Sequence, residues 1–222
     1  MDLPEALRRM GAEYQADPDK AVHSQKFIKH LHDYLAEDMD SRLTPWAKKR
    51  GIHVKKEAHI IGSAKPKDVD VAIVDPENGP LMLVGVRSQM SSIGNNALGY
   101  YEMLLGEVTS LEERFPLSAH GYVYLHPLKS IKAGKEAEVI DHPRYARLYA
   151  AMTGRLGRDY KNLRGVFDQF AYMVVDFNAT PAELHDEIAT AAVPDMDLTV
   201  GTFVDRMVKT FKERLVFWDV FL

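Results

Sequence analysis

Two short apolar runs on either side of Asp75-Pro-Glu-Asn-Gly-Pro80 constrain this 222-residue chain more than any other feature. Asp68 to Val74 alternates Asp, Val, Asp, Val and continues Ala-Ile-Val, while Leu81 to Arg87 is apolar apart from Gly85 and its last residue. Proline, asparagine and glycine between such runs set up a tight reversal, so the segment predicts an antiparallel hairpin. If Val74 pairs with Leu81, Asp70 lies opposite Gly85 and Asp68 opposite Arg87. A slip of two exchanges those pairs but keeps all four on one face, because side chains alternate with a period of two. Two carboxylates and a guanidinium then converge. Carboxylate oxygens suit Mg²⁺ and a nearby guanidinium suits a phosphate, which is the equipment for metal-assisted phosphodiester hydrolysis.

Around the hairpin the periodicity changes. Phe27, Ile28, Leu31, Leu35 and Met39 recur at helical spacing behind Ser24, a potential cap. Pro45 permits a short helix through Arg50, stopped by Gly51, and His53 to Ile61 reads as a strand. A long helix is predicted from about Asn95 to Arg114, with a further strand from His120 to His126. Beyond it, Pro143–Gly154, Pro181–Ala191 and Gly201–Trp218 read as helices and Gln169–Asp176 as a strand. The order through residue 126 is therefore helix, three strands, helix, strand. The segments 127–140 and 192–199 read as loops within one domain. The apolar stripe of Phe203, Val204, Met207, Phe211 and Leu215 reads as core or subunit interface.

That order, with an aspartate in the second strand, resembles the core of the PD-(D/E)XK nuclease superfamily, which includes many type II restriction endonucleases. The likeness covers residues 24–126, on Asp68-Val-Asp70-Val-Ala-Ile and Leu83-Val-Gly85-Val-Arg87-Ser-Gln89. The resemblance implies an α/β fold with a restriction-endonuclease-like αβββαβ core, a mixed central sheet flanked by helices and a C-terminal helical extension. It puts the family's aspartate on Asp70 (Asp68 if the register shifts), its glutamate position on Gly85 and its lysine position on Arg87. Glycine holds no metal. Some restriction enzymes of the superfamily supply the missing carboxylate from the following helix, which points to Glu102, with Glu107 about 140° further around the helix as the alternative. Arg87 stays protonated and cannot act as a base, but it can grip a phosphate. Gln89, on the same strand face, is expected to orient water or contact the DNA backbone.

Charge sharpens the expectation. The net charge of −4 speaks against a nucleic-acid partner, yet residues 42–67 hold eight basic residues and one acid, Glu57. Residues 126–164 hold nine basic residues against four acids. Such segregation is an electrostatic footprint for a polyanion. Lys55, Lys56, Lys65 and Lys67 are the expected DNA-backbone contacts, and base recognition is expected within 127–164.

The chain is thus expected to be one domain, 1–222, with a core at 24–126 and recognition and dimerisation elements beyond it. Its expected activity is Mg²⁺-dependent cleavage of double-stranded DNA as a type II restriction endonuclease. Asp70, Asp68 and Glu102 would hold metal, with Arg87 and Gln89 assisting. A homodimer suits a palindromic target. Two alternatives stay open: a non-catalytic DNA-binding module of the same fold, and a nucleotidyltransferase on Gly62-Ser63 and Asp68-Val-Asp70. The second is disfavoured because only four residues separate its two parts, too few for the intervening helix. Cysteine is absent, which excludes thiolate catalysis and cysteine zinc sites. Ordinary fractions of hydrophobic (46%) and charged (27%) residues argue against disorder. No apolar signal core or bilayer-length run is present, so a soluble, cytoplasmic protein is expected.

Overall fold

A computed structural model describes residues 1–130, 138–155 and 166–222. Strands β1 (His53–Ile61), β2 (Pro66–Asp75), β3 (Gly79–Ser88), β4 (Ala119–Pro127), β7 (Gln169–Asp176) and β8 (Glu183–Leu184) form one mixed sheet in the order β1-β2-β3-β4-β7-β8. The first three are antiparallel, β3–β4 and β4–β7 are parallel, and β8 is antiparallel to β7. A two-residue pair, β5 (Lys129–Ser130) with β6 (Glu138–Val139), stands apart from the sheet. Parallel neighbours need a crossover, and α5 (Ile93–Arg114) provides it between β3 and β4.

Alternation along the strands divides the core into two main layers. Val71, Ile73, Met82, Val84, Val86, Val123, Leu125 and Met173 face one side, under α1 (Leu3–Ala16), α3 (Lys29–Ser41) and α8 (Phe203–Arg214). Tyr122, Tyr124, Phe170, Tyr172 and Val174 face the other, under α5, α6 (His142–Ala150) and α7 (Asp186–Ala192). Two short helices, α2 (Pro18–Ser24) and α4 (Pro45–Lys49), complete the set. Capping follows the sequence: the side chains of Asp2, Asp17, Thr44 and Asp141 accept the first free backbone N–H groups of α1, α2, α4 and α6. No helix among the described residues is long and apolar enough to cross a membrane.

The expected α/β class and element order through residue 126 are present, with differences at the ends. The helix predicted from Ser24 begins at Lys29, because Gln25 adopts a left-handed conformation that ends α2. The helix α1 comes in addition to the expected set. The predicted Pro181–Ala191 helix divides into β8 and α7. The predicted Gly201–Trp218 helix ends at Arg214, and the tail folds back so that Phe221 bridges to Leu43. Phe203, Val204, Met207 and Phe211 are fully or almost fully buried inside this chain, so the stripe is core. Segment 127–140 contains β5 and β6, and much of the expected recognition region lies at 131–137 and 156–165, outside the described residues.

Candidate functional site

The hairpin register sets the site. Val71↔Val84, Ala72↔Leu83 and Ile73↔Met82 are the pairs expected, but a bulge shifts Val74 onto Pro80. The expected Val74–Leu81 pair is therefore off by one at the turn, and Asp70 is still level with Gly85. Pairing stops at Val71↔Val84. Beyond it the Val86 N–H donates to Asp70 Oδ2 at 2.6 Å, so a side chain replaces the ladder where the two strands part.

On its other side Asp70 is level with Glu57. The β1–β2 ladder runs through Lys56↔Val71 and resumes at Ala58↔Val69, leaving Glu57 and Asp70 between them. Glu57 has φ 49°, a left-handed conformation that is costly for a residue without special need. Side-chain alternation reverses here. Val54, Val71 and Ile73 pack into the layer under α1, α3 and α8, whereas Ala58, Ile60 and Val69 join Ala72, Leu83 and Leu111 beneath α5. Strained non-glycine backbone of this kind concentrates at functional sites.

The third member comes from α3. His32 is 5% exposed; its Nδ1 lies 3.4 Å from Glu57 Oε1 and its Nε2 3.7 Å from Asp70 Oδ1. Neither approach closes a hydrogen bond, and both ring nitrogens are buried without a hydrogen-bond partner among the described residues. Ligating atoms of His32, Glu57 and Asp70 all lie within 4.8 Å of one another. Burial pushes Asp70 up to about 7; the Val86 N–H pulls the other way, and Glu57 and Glu107 add to the rise. Burial also holds His32 below the usual imidazole value, partly offset by Glu57. Lys29 Nζ stands 3.9 Å from Glu57 Oε1, the same oxygen that faces His32.

Arg87 is half-buried on the α5 side of the sheet, near enough to Asp70 to act on its carboxyl, with its guanidinium 4.8 Å from the centre of the Tyr100 ring and Nη1 3.8 Å from Met103 Sδ. It forms no ion pair among the described residues, so it is not a salt-bridge partner of Asp68 or Asp70.

The remaining expected site residues separate. Asp68 is exposed and bonded to His59 at 2.9 Å, away from the cluster. Glu102 is exposed on α5 and does not join the cluster, whereas Glu107 is half-buried and paired with Lys67 at 3.1 Å. The space at Gly85 is not open to a helix carboxylate. A Cβ there would lie 2.3 Å from Tyr122 Cε2, so the Tyr122 ring from the parallel neighbour fills it. Gln89 is also corrected. It is 5% exposed, and its Oε1 sits 3.0 Å from the Tyr124 hydroxyl and 3.3 Å from His126 Nε2, inside a packed polar network away from solvent.

The basic run is largely neutralised in space. Arg42 pairs with Asp38 and Asp205, Lys48 with Asp40, Arg50 with Glu77, Lys56 with Asp33 and Lys67 with Glu107. Of the four expected DNA contacts, Lys55 and Lys65 are exposed without an ion pair among the described residues. The nucleotidyltransferase pattern lacks its helix: β1 ends at Ile61 and β2 begins at Pro66.

Sequence reasoning passes over Glu57 as a ligand and sets His30 and His32 aside as a poor metal pair, since residues two apart on a helix face different directions. His30 and His32 do point apart, as their spacing requires, and His30 bonds Glu13 at 3.0 Å. Yet His32 alone meets the sheet. Glu57 was detectable as the one acid in a basic stretch and by extending the register one strand further. Comparison with family models, curated proteins and solved structures gives no match for this chain.

Proposed function

We propose that this chain is a divalent-cation-dependent endonuclease that hydrolyses phosphodiester bonds of double-stranded DNA, with a restriction-endonuclease-like core. The observation that carries the reading is the half-buried Arg87 guanidinium, without an ion pair among the described residues and close enough to Asp70 to act on its carboxyl, near a cluster of buried His32, half-buried Asp70 and exposed Glu57. Clustered cation ligands near such a guanidinium are the juxtaposition that phosphodiester hydrolysis needs. The topology agrees: α3, β1, β2, β3, α5 and β4 follow in the superfamily's order, with β4 parallel to β3.

The donor set fits a divalent cation, since two carboxylates and an imidazole with unpartnered nitrogens face one another. When bound, the cation lowers the pKa of an attacking water and offsets charge growing on phosphorus. The chain's own residues do the rest. Arg87 donates N–H groups to the non-bridging phosphate oxygens, held in direction by the Tyr100 ring. Val86 N–H fixes one oxygen of Asp70, leaving the other turned toward His32. Lys55 and Lys65 meet neighbouring phosphates. A type II restriction enzyme acting as a homodimer is the simplest biological setting for this chemistry.

The test is incubation of the full chain with phage DNA and Mg²⁺ or Mn²⁺, followed by a gel. Cleavage is expected, with discrete bands marking sequence specificity. Arg87→Ala is expected to reduce the rate by roughly 10²–10³-fold with folding retained. Intact DNA with both cations would overturn the proposal. A second reading has one observation in its favour: the Tyr122 ring leaves β3 without the family's carboxylate. DNA retention on a native gel without cleavage would select that non-catalytic module.

A further inference from the structure

We infer that His32, Glu57 and Asp70 form a mixed imidazole–carboxylate cation site that takes Mn²⁺ in preference to Mg²⁺. The inference deepens the nuclease reading and rests on it for its biological use, although cation binding is measurable without DNA. It also replaces the expected ligand set of Asp70, Asp68 and Glu102 by one drawn from a helix and two strands.

Donor and acceptor balance is the first support. A neutral imidazole has one N–H and one lone pair, and an ionised carboxylate only accepts. His32 turns Nδ1 toward Glu57 and Nε2 toward Asp70. With both carboxylates ionised, whichever nitrogen lacks the proton therefore faces a carboxylate oxygen, lone pair to lone pair. Buried groups are rarely left so, because an unmet polar group costs about 1–3 kcal/mol. A cation between the three groups converts each lone pair into a ligand.

The second support is that His32 differs from the other histidines with buried ring nitrogens. Among the described residues, His120 and His185 each have one such nitrogen without a hydrogen bond, while the other is bonded to the Phe115 carbonyl and to Glu187 respectively. In His32 both nitrogens are unmet. The third is backbone: Glu57 reaches this position only by taking a left-handed conformation in the middle of a strand.

Ligand chemistry sets the preference. Mg²⁺ favours all-oxygen donors in near-octahedral geometry; first-row transition ions take an imidazole nitrogen more readily, and Mn²⁺ is the one among them that shares the preference of Mg²⁺ for carboxylate oxygen. Of the surrounding lysines, Lys56 is paired with Asp33 and Lys67 with Glu107, while Lys29, itself exposed, meets Glu57 Oε1 only at 3.9 Å, beyond hydrogen-bond reach.

The test is titration of the full chain with Mn²⁺ alone, read by calorimetry and by electron spin-echo modulation from a coordinated ¹⁴N. One Mn²⁺ per chain with a ¹⁴N signal is expected, and Mg²⁺ is expected to bind roughly tenfold or more weakly. Glu57→Asn, which tolerates a left-handed backbone, should weaken Mn²⁺ by roughly 10–100-fold. His32→Gln should remove the ¹⁴N signal, with circular dichroism confirming that the variant is folded. Failure to bind Mn²⁺, binding indifferent to both substitutions, or Mg²⁺ binding as tight as Mn²⁺ would overturn the inference. DNA cleavage without a Mn²⁺ site would sink this assignment alone. A Mn²⁺ site without cleavage would sink the nuclease reading alone.

Discussion

Two polar clusters, each built on a buried histidine, use the same side chain to opposite ends. At His126 both ring nitrogens lie within hydrogen-bond reach of a partner. The Leu128 carbonyl can only accept, so His142 donates to it from Nε2 at 3.0 Å and receives the Tyr172 hydroxyl proton at Nδ1, at 2.8 Å. The Tyr172 hydroxyl also lies 3.0 Å from His126 Nδ1, and Gln89 Oε1 lies 3.3 Å from His126 Nε2. At His32 two carboxylates approach and no bond closes. A buried histidine therefore carries little meaning by type alone. What separates scaffold from site is whether its two nitrogens are accounted for.

Mutation should break the two clusters in opposite directions. The largest expected effect is on cleavage: Asp70→Asn should abolish detectable nicking of DNA. The same variant should raise the melting temperature of the cation-free protein at pH 8 by roughly 3–6 °C, since it removes a buried charge while an amide oxygen still accepts the Val86 N–H. A lower melting temperature would show that the carboxylate is part of the scaffold. In the other cluster, Tyr172→Phe strands one nitrogen on each of His126 and His142. It should cost about 2–4 kcal/mol, read as a lowered urea midpoint, with Mn²⁺ affinity unchanged. Altered Mn²⁺ affinity there would mean that the clusters are coupled.

The scaffold histidines also predict a pH response. Burial holds His126 down to about 3 and His120 down to about 4, against about 6.5 for an unfolded histidine. Between those values the unfolded chain binds protons that the native protein does not. Stability is thus complete above about pH 6.5 and lost as pH falls toward 4 and then 3. Urea midpoints from pH 7 to pH 4 should fall steadily, and His126→Phe should flatten part of that decline. The smallest expected effect concerns DNA affinity. Lys55→Ala and Lys65→Ala should each lower the slope of log affinity against log salt by about 1, whereas Lys56→Ala, already paired with Asp33, should change it less.

The parts of the fold visible in the sequence are those decided locally. Turn chemistry at Asp75–Pro80 located the hairpin, and alternation placed Asp70 level with Gly85 within a bulge of error at the turn. The first helix was equally legible, because Asp2 and Pro4 form its start and Ala6, Leu7, Met10 and Tyr14 recur at helical spacing. The site was different. Gly85 looks vacant until β4 brings Tyr122 alongside it in parallel, a pairing no hairpin arithmetic contains. The basic run looks like a footprint until Asp33, Asp40, Glu77, Glu107 and Asp205 arrive from distant segments. Glu57 meets Asp70 through a backbone reversal at one residue, and His32 meets both through the docking of α3 on the sheet.

The left-handed Glu57 has one more consequence. Strand β1 is one of the two edge strands, nine residues long, and its outer row of backbone groups has no neighbour in the sheet among the described residues. An uninterrupted row of that length is a template on which another chain can add a strand. The kink at Glu57 divides it into two short stretches, and the charges of Lys55, Lys56 and Glu57 sit at the division. The residue that turns a carboxylate toward Asp70 thereby also guards the open border of the sheet against aggregation.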